Sequence, residues 1–167
     1  MAMTQLAFQT DELDPIEIVE DIAQHNSWEF DRVDEDQIAM LVEGQWRSYA
    51  LTLAWSPQDE TLRLVCTFEM EPPEDRLPAI YEVVNAANDY IWSGTFTYWL
   101  EPKLMVYRYG LVLSGGQMAS AEQIDRMIGD AVAAAERFYP AFQLVGWGGH
   151  SATDALQVAI AEAFGHA

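Results

Sequence analysis

The stretch from Leu77 to Ser114 (LPAIYEVVNAANDYIWSGTFTYWLEPKLMVYRYGLVLS) constrains the chain most, because its hydrophobic period changes partway along. Ile80, Val83, Val84, Ala87 and Ile91 recur at offsets that place them on one face of a helix. Ser93-Gly94 then ends that helix, glycine being the residue that most readily takes a left-handed cap. Two strand-like runs follow, Thr95 to Leu100 and Met105 to Leu113, split at Glu101-Pro102-Lys103. Side chains alternate along a strand, so Val106, Arg108 and Gly110 share one face of the second run. Tyr107, Tyr109 and Leu111 share the other.

Before this stretch the period is two. Gln37 to Glu43, Trp46 to Trp55 and Thr61 to Met70 alternate and are joined by short turns, with Glu29 to Val33 as a weaker run ahead of them. Short turns between successive strands predict an antiparallel meander. The linker Glu71-Pro72-Pro73-Glu74-Asp75 cannot continue a strand. At the front, Asp14 caps a first helix, Pro15 suits its first position, and His25-Asn26 ends it. After the central stretch, Ser120 and Gln123 form a capping box for a third helix, whose apolar stripe runs from Ile124 to Phe142. Pro140 is expected to kink or end that helix. Ser151 and Asp154 start a last helix, with Leu156, Ile160 and Phe164 on one side. Residues 1–10 read as a loose arm and residues 151–167 as a helical tail of one domain spanning residues 1–167. Runs of strands beside segregated helices indicate an α+β fold, an antiparallel sheet of about five strands packed with helices.

Charge narrows the partners. The chain carries 27 acids against 8 bases, a formal net charge of −19. Residues 1–75 hold 18 of the acids and 3 of the bases. Such a surface repels phosphate backbones and anionic lipid, so neither nucleic acid nor membrane is expected as a partner. A basic protein surface is electrostatically suited. With one cysteine, Cys66, no intramolecular disulfide forms, and its alternation with Leu62, Leu64 and Phe68 predicts a buried, inert thiol. Residues 1–13 lack the basic start and apolar run of a signal peptide, and no apolar window reaches the ~20 residues needed to span a bilayer. A cytoplasmic location is the expectation.

Three features of the central stretch, the Asn85-x-x-Asn88 helix, the Gly94-x-Phe96 strand entry and the Tyr107-Arg108 strand, resemble the YbjN-type family of small bacterial proteins. The resemblance extends more loosely over residues 14–150. It implies a sensory transduction regulator with a fold similar to type III secretion chaperones, small acidic dimers that hold a partner chain. It also singles out Asn85 and Asn88 as structural fixtures. Asparagine is a mediocre helix former, so two on one helix predict side-chain hydrogen bonds to a neighbouring strand or loop. Arg108 with Tyr107 is read first as a cross-strand salt bridge or a sheet face at an interface, and second as an anchor for a partner's carboxylate. Trp147, set between glycines, is the tryptophan whose burial the pattern does not require.

Motifs for chemistry are missing. His25, His150 and His166 lie far along the chain from Cys66, and there is no G-x-S-x-G, P-loop or G-x-G-x-x-G sequence. Asp31, Asp34, Glu35 and Asp36 cluster without calcium-loop spacing and read as a solvated turn. No catalytic residue, metal or cofactor is expected. The reading is a non-enzymatic protein-binding module, chaperone-like or regulatory, that forms a homodimer through its sheet and third helix. A small enzyme or small-ligand domain with an unrecognised pocket is the alternative.

Overall fold

Asp14 opens the first helix, α1 (Pro15–His25), by accepting the Ile16 N–H on Oδ1 at 3.0 Å. The structure, a computed structural model, describes residues 14–165, so the arm expected at residues 1–10 lies outside the described residues. Four strands follow as an antiparallel meander: β1 (Glu29–Asp34), β2 (Gln37–Glu43), β3 (Ser48–Ser56) and β4 (Thr61–Glu69). A short 3-10 turn (Glu74–Arg76) leads into α2 (Leu77–Asn88), then β5 (Thr95–Trp99) and β6 (Leu104–Val112). The chain finishes with α3 (Ala121–Gly146) and α4 (Ala152–Gly165). Among the described residues the sheet has six strands in the order β1-β2-β3-β4-β6-β5, one more than expected. The charged run at β1, the weakest by pattern, pairs with β2 nonetheless.

One sheet face holds the core. Met40, Leu51, Cys66, Tyr107 and Phe96 follow one another across β2, β3, β4, β6 and β5, all buried, and the helices close over them. Phe96 packs edge-on against Phe138 and Phe142 of α3, at ring-centre distances of 5.9 and 5.2 Å. The alternation thus places Cys66 at 1% exposure, and burial pushes its thiol up to about 12.

Three boundaries differ from the expectation. Helix α2 stops at Asn88, so Ile91 packs on the core from a loop instead of from the helix face. Gly94 does not cap the helix; its φ of +96° turns the chain into β5. Of the two expectations for Pro140, the ending is overturned, since the helix runs on to Gly146. A proline inside a helix forfeits a backbone hydrogen bond and costs about 3 kcal/mol. Here Phe138 before it and Ala141, Phe142 and Val145 after it are all buried in one core, and that packing offsets the loss. Ser120 and Gln123 make both bonds of the capping box at its start.

The two edges of the sheet are protected in different ways. The β1 edge carries exposed Glu29 and Asp31, and its register slips between Arg32 and Asp34. At the β5 edge, the Asn88 carboxamide grips the Phe96 backbone twice: Oδ1 accepts its N–H at 2.7 Å and Nδ2 donates to its C=O at 3.1 Å. The turn of acids at residues 34–36 is also used internally. Asp34 Oδ1 accepts the Asp36 N–H, while the Arg32 guanidinium donates to the carbonyls of Asp34 and Glu35 and pairs with Glu20 of α1.

Candidate functional site

The second sheet face has small and polar side chains. Across the strands one row reads Asp31, Ala39, Thr52, Val65, Arg108, Thr95, and the next reads Glu29, Leu41, Ala50, Thr67, Val106, Thr97. Val33, Leu41 and Val112 stay 53%, 45% and 64% exposed. Acids lie at the β1 end of both rows and arginine towards the β5 end, with alanine, threonine and valine between.

At the arginine end the face dips into an open trough of about 680 Å³, whose lining includes Arg63, Val65, Trp92, Trp99, Arg108 and Gly110. Trp92 is 99% exposed, yet the loop that carries it (residues 89–94) is tied down. The Tyr107 hydroxyl donates to the Ser93 carbonyl, and burial raises the affinity of that phenol for its proton. The Ser93 hydroxyl faces Asp130 of α3 at 3.4 Å. Gly94 is pressed against Tyr107 so closely that a Cβ there would stand 2.4 Å from the ring. An exposed indole costs the chain unfavourable hydration, and a loop fixed on both sides holds it there.

Arg108 is exposed and has no hydrogen-bond or ion-pair partner among the described residues. The other seven bases are engaged. Arg32, Arg63, Lys103 and Arg126 pair with Glu20, Asp59, Glu71 and Asp130. Arg76 donates to the carbonyls of Val145 and His150. Arg47 lies over Phe68 and Tyr139, and Arg137 over Tyr90 and Phe138.

The site residues named from sequence therefore divide. Asn88, Tyr107 and Arg108 converge around the Trp92 loop: the first fixes the strand after it, the second holds its carbonyl, the third lines the trough beside it. Asn85 is exposed on α2, and its side chain makes no hydrogen bond among the described residues. Trp147, 50% exposed, ends α3 and does not line the trough. Trp92, Trp99 and Arg63 were missed. The signal available for Trp92 was its place directly before Ser93-Gly94, in the break between helix and strand. Among the described residues no helix is long and apolar enough to cross a membrane.

A family model described as "Putative bacterial sensory transduction regulator", YbjN, matches residues 15–144. No curated protein matches the chain. Among solved structures, YbjN, a putative transcription regulator from E. coli, superposes with a TM-score of 0.53 at 10% identity, over 91% of this chain and 95% of that one. That likeness is one of fold. A chain of the HopA1–SchA chaperone–effector complex gives a TM-score of 0.48 at 14% identity, over 78% of this chain and 91% of that one, a score too low to argue from.

Proposed function

The chain belongs to the YbjN family of putative bacterial sensory transduction regulators, and on that premise we propose that it is a non-enzymatic protein-binding module. In this reading it is a regulatory adaptor of sensory or stress signalling, cytoplasmic and homodimeric. The observation that carries the reading is the sheet face that the described residues leave uncovered, with Trp92 held out to solvent on an anchored loop beside an arginine that has no partner among them. Exposed aromatic groups gathered at one end of the face, Trp92 and Trp99 beside the trough, mark an interaction site. The alternative, an enzyme or small-ligand domain, calls for an enclosed pocket with converging polar groups, and the trough lies open along the sheet.

The rows of this face are self-complementary. Turning one sheet half a revolution about an axis along its strands lays β1 over the second copy's β5, and β2 over its β6. The acidic edge of each copy then meets the arginine edge of the other, as an isologous two-fold contact requires. The shelf of Ala39, Ala50 and Thr52 gives the facing side chains room. Helix α3, the other surface expected in the dimer, has spent its stripe: Ile124, Met127, Ile128, Phe138 and Phe142 are buried in its own chain. The proposed dimer accordingly draws on the sheet alone, and a stable one buries roughly 1,200 to 2,000 Å².

Two chains of charge −19 repel at long range, and salt screens this more than it weakens the few pairs at the rim. Light scattering at tens of micromolar protein should give a dimer mass that grows more complete as salt rises. Arg108→Asp should shift the mass towards monomer, and adding Asp31→Arg should restore the dimer. A monomer at low and high salt alike sinks the homodimer. Co-purification from the native cell, read by mass spectrometry, tests the adaptor role, and failure to recover any protein beyond the chain itself counts against it.

A further inference from the structure

On the helical side, α1 and the segment entering α3 bound a groove of about 760 Å³ that the sheet does not reach. Ile18 and Ile22, one turn apart on α1, and Met118 line it half-buried; Asp21, Glu122 and Asp125 line it exposed. Its lining contains His25 but no lysine or arginine, and none of these three carboxylates is paired with a base among the described residues. We propose that this groove receives a basic amphipathic helix of the partner protein, apolar face on Ile18, Ile22 and Met118, lysines or arginines against Asp21, Glu122 and Asp125. The inference rests on the reading of the chain as a protein-binding module and is independent of the dimer face.

Three arguments fix the occupant. The groove lies between helices and offers no strand edge for an extended peptide to pair with, whereas a helix docks with its backbone bonds already made. A neutral or acidic apolar segment would draw water away from three carboxylates without compensating them, a cost that cationic side chains on the rim remove. The groove's own rim, with Asp21, Glu122 and Asp125 and no lysine or arginine, also steers a basic partner to it. Helix α1 has 11 residues, about 16 Å, so the occupant it matches is about three turns long.

The test titrates the full-length, isotope-labelled protein with three blocked 14-residue peptides and follows backbone amide shifts. One is a leucine–lysine peptide with leucines at helical spacing, one has the same residues scrambled, and one has glutamate in place of lysine. Shifts confined to residues 18–26 and 118–125 with the spaced leucine–lysine peptide, and none with the glutamate peptide, are expected. The triple variant Asp21→Asn, Glu122→Gln, Asp125→Asn, which leaves the floor intact, should weaken that binding about tenfold or more. Equal binding of the scrambled peptide, or shifts spread over the acidic turn at residues 31–36, overturns the groove in favour of diffuse charge attraction. Tighter peptide binding in a Leu6→Ser, Phe8→Ser variant, which adds no charge, overturns it too, assigning the groove to the chain's own first residues. If a partner recovered from the native cell is retained by the triple variant, the protein-binding reading stands and the groove does not.

Discussion

Along β4, Leu62, Leu64, Cys66 and Phe68 are buried beneath the helices, while Thr61, Arg63, Val65, Thr67 and Glu69 alternate with them on the open side. One strand thus supplies two surfaces with different physical demands on them. On the inner face the side chains are closely packed, with Phe142 at ring-centre distances of 6.3, 5.2 and 6.5 Å from Phe68, Phe96 and Phe138. A change there alters the stability of the fold. On the outer face alanines and threonines make few contacts, and the large groups, Trp92, Trp99 and Arg108, gather at one end. A change there should alter company rather than folding.

The sharpest way to break this contrast is to remove a ring from each side. Phe142→Ala should lower the free energy of unfolding by about 3–5 kcal/mol, the cost of a large buried truncation. Urea denaturation measures it, and a loss below about 1 kcal/mol would show that the inner face is not the closely packed one. Asn88→Ala comes next. It strips both side-chain bonds from the Phe96 backbone, and a cost of about 1–3 kcal/mol with faster amide exchange at Phe96 is expected. Unchanged exchange at that amide would mean that the carboxamide does not hold β5. The smallest perturbation compares thiols. Cys66 faces inward with its pKa pushed up to about 12 by burial, so at pH 8 its thiolate fraction is on the order of 10⁻⁴. A Thr52→Cys variant places a second thiol on the outer face of the neighbouring strand. In dilute, low-salt solution, where no second copy covers this face, only that second thiol should react within minutes with a bulky reagent, and rapid labelling of the wild-type chain would erase the distinction.

The inner face was legible in the sequence because burial repeats every second residue. Leu62 to Phe68 and Tyr49 to Trp55 display that period openly, and the order of elements follows from the turns between them. Helix α3 was legible for the same reason, through Ile124 to Phe142. What stayed hidden depends on contacts between distant residues. The end of α2 is set by Asn88 reaching across to Phe96, not by the Ser93-Gly94 pair that marks a stop locally. Pro140 is tolerated because of what its neighbours pack against, which a local rule does not register. Two asparagines with equal standing in the pattern proved unequal, Asn88 bonded and Asn85 exposed, since the helix turns only one of them towards β5. The outer face has no period of its own, so Trp92 could not be separated from Trp147 by spacing, and the trough was invisible until Arg63, Arg108 and Trp99 met across three strands.

The grip of Asn88 on Phe96 has a consequence for the behaviour of the protein at high concentration. A sheet edge with free backbone groups is a template on which further chains can add, and stacking of this kind is how fibrils grow. At β5 the side chain already occupies the amide and carbonyl at Phe96 that an incoming strand would need. At the far edge a slipped register and two carboxylates repel any strand from another acidic copy. One edge is thus partly taken up by the chain's own side chain and the other is charged and irregular, which disfavours endless strand-on-strand stacking of this acidic chain.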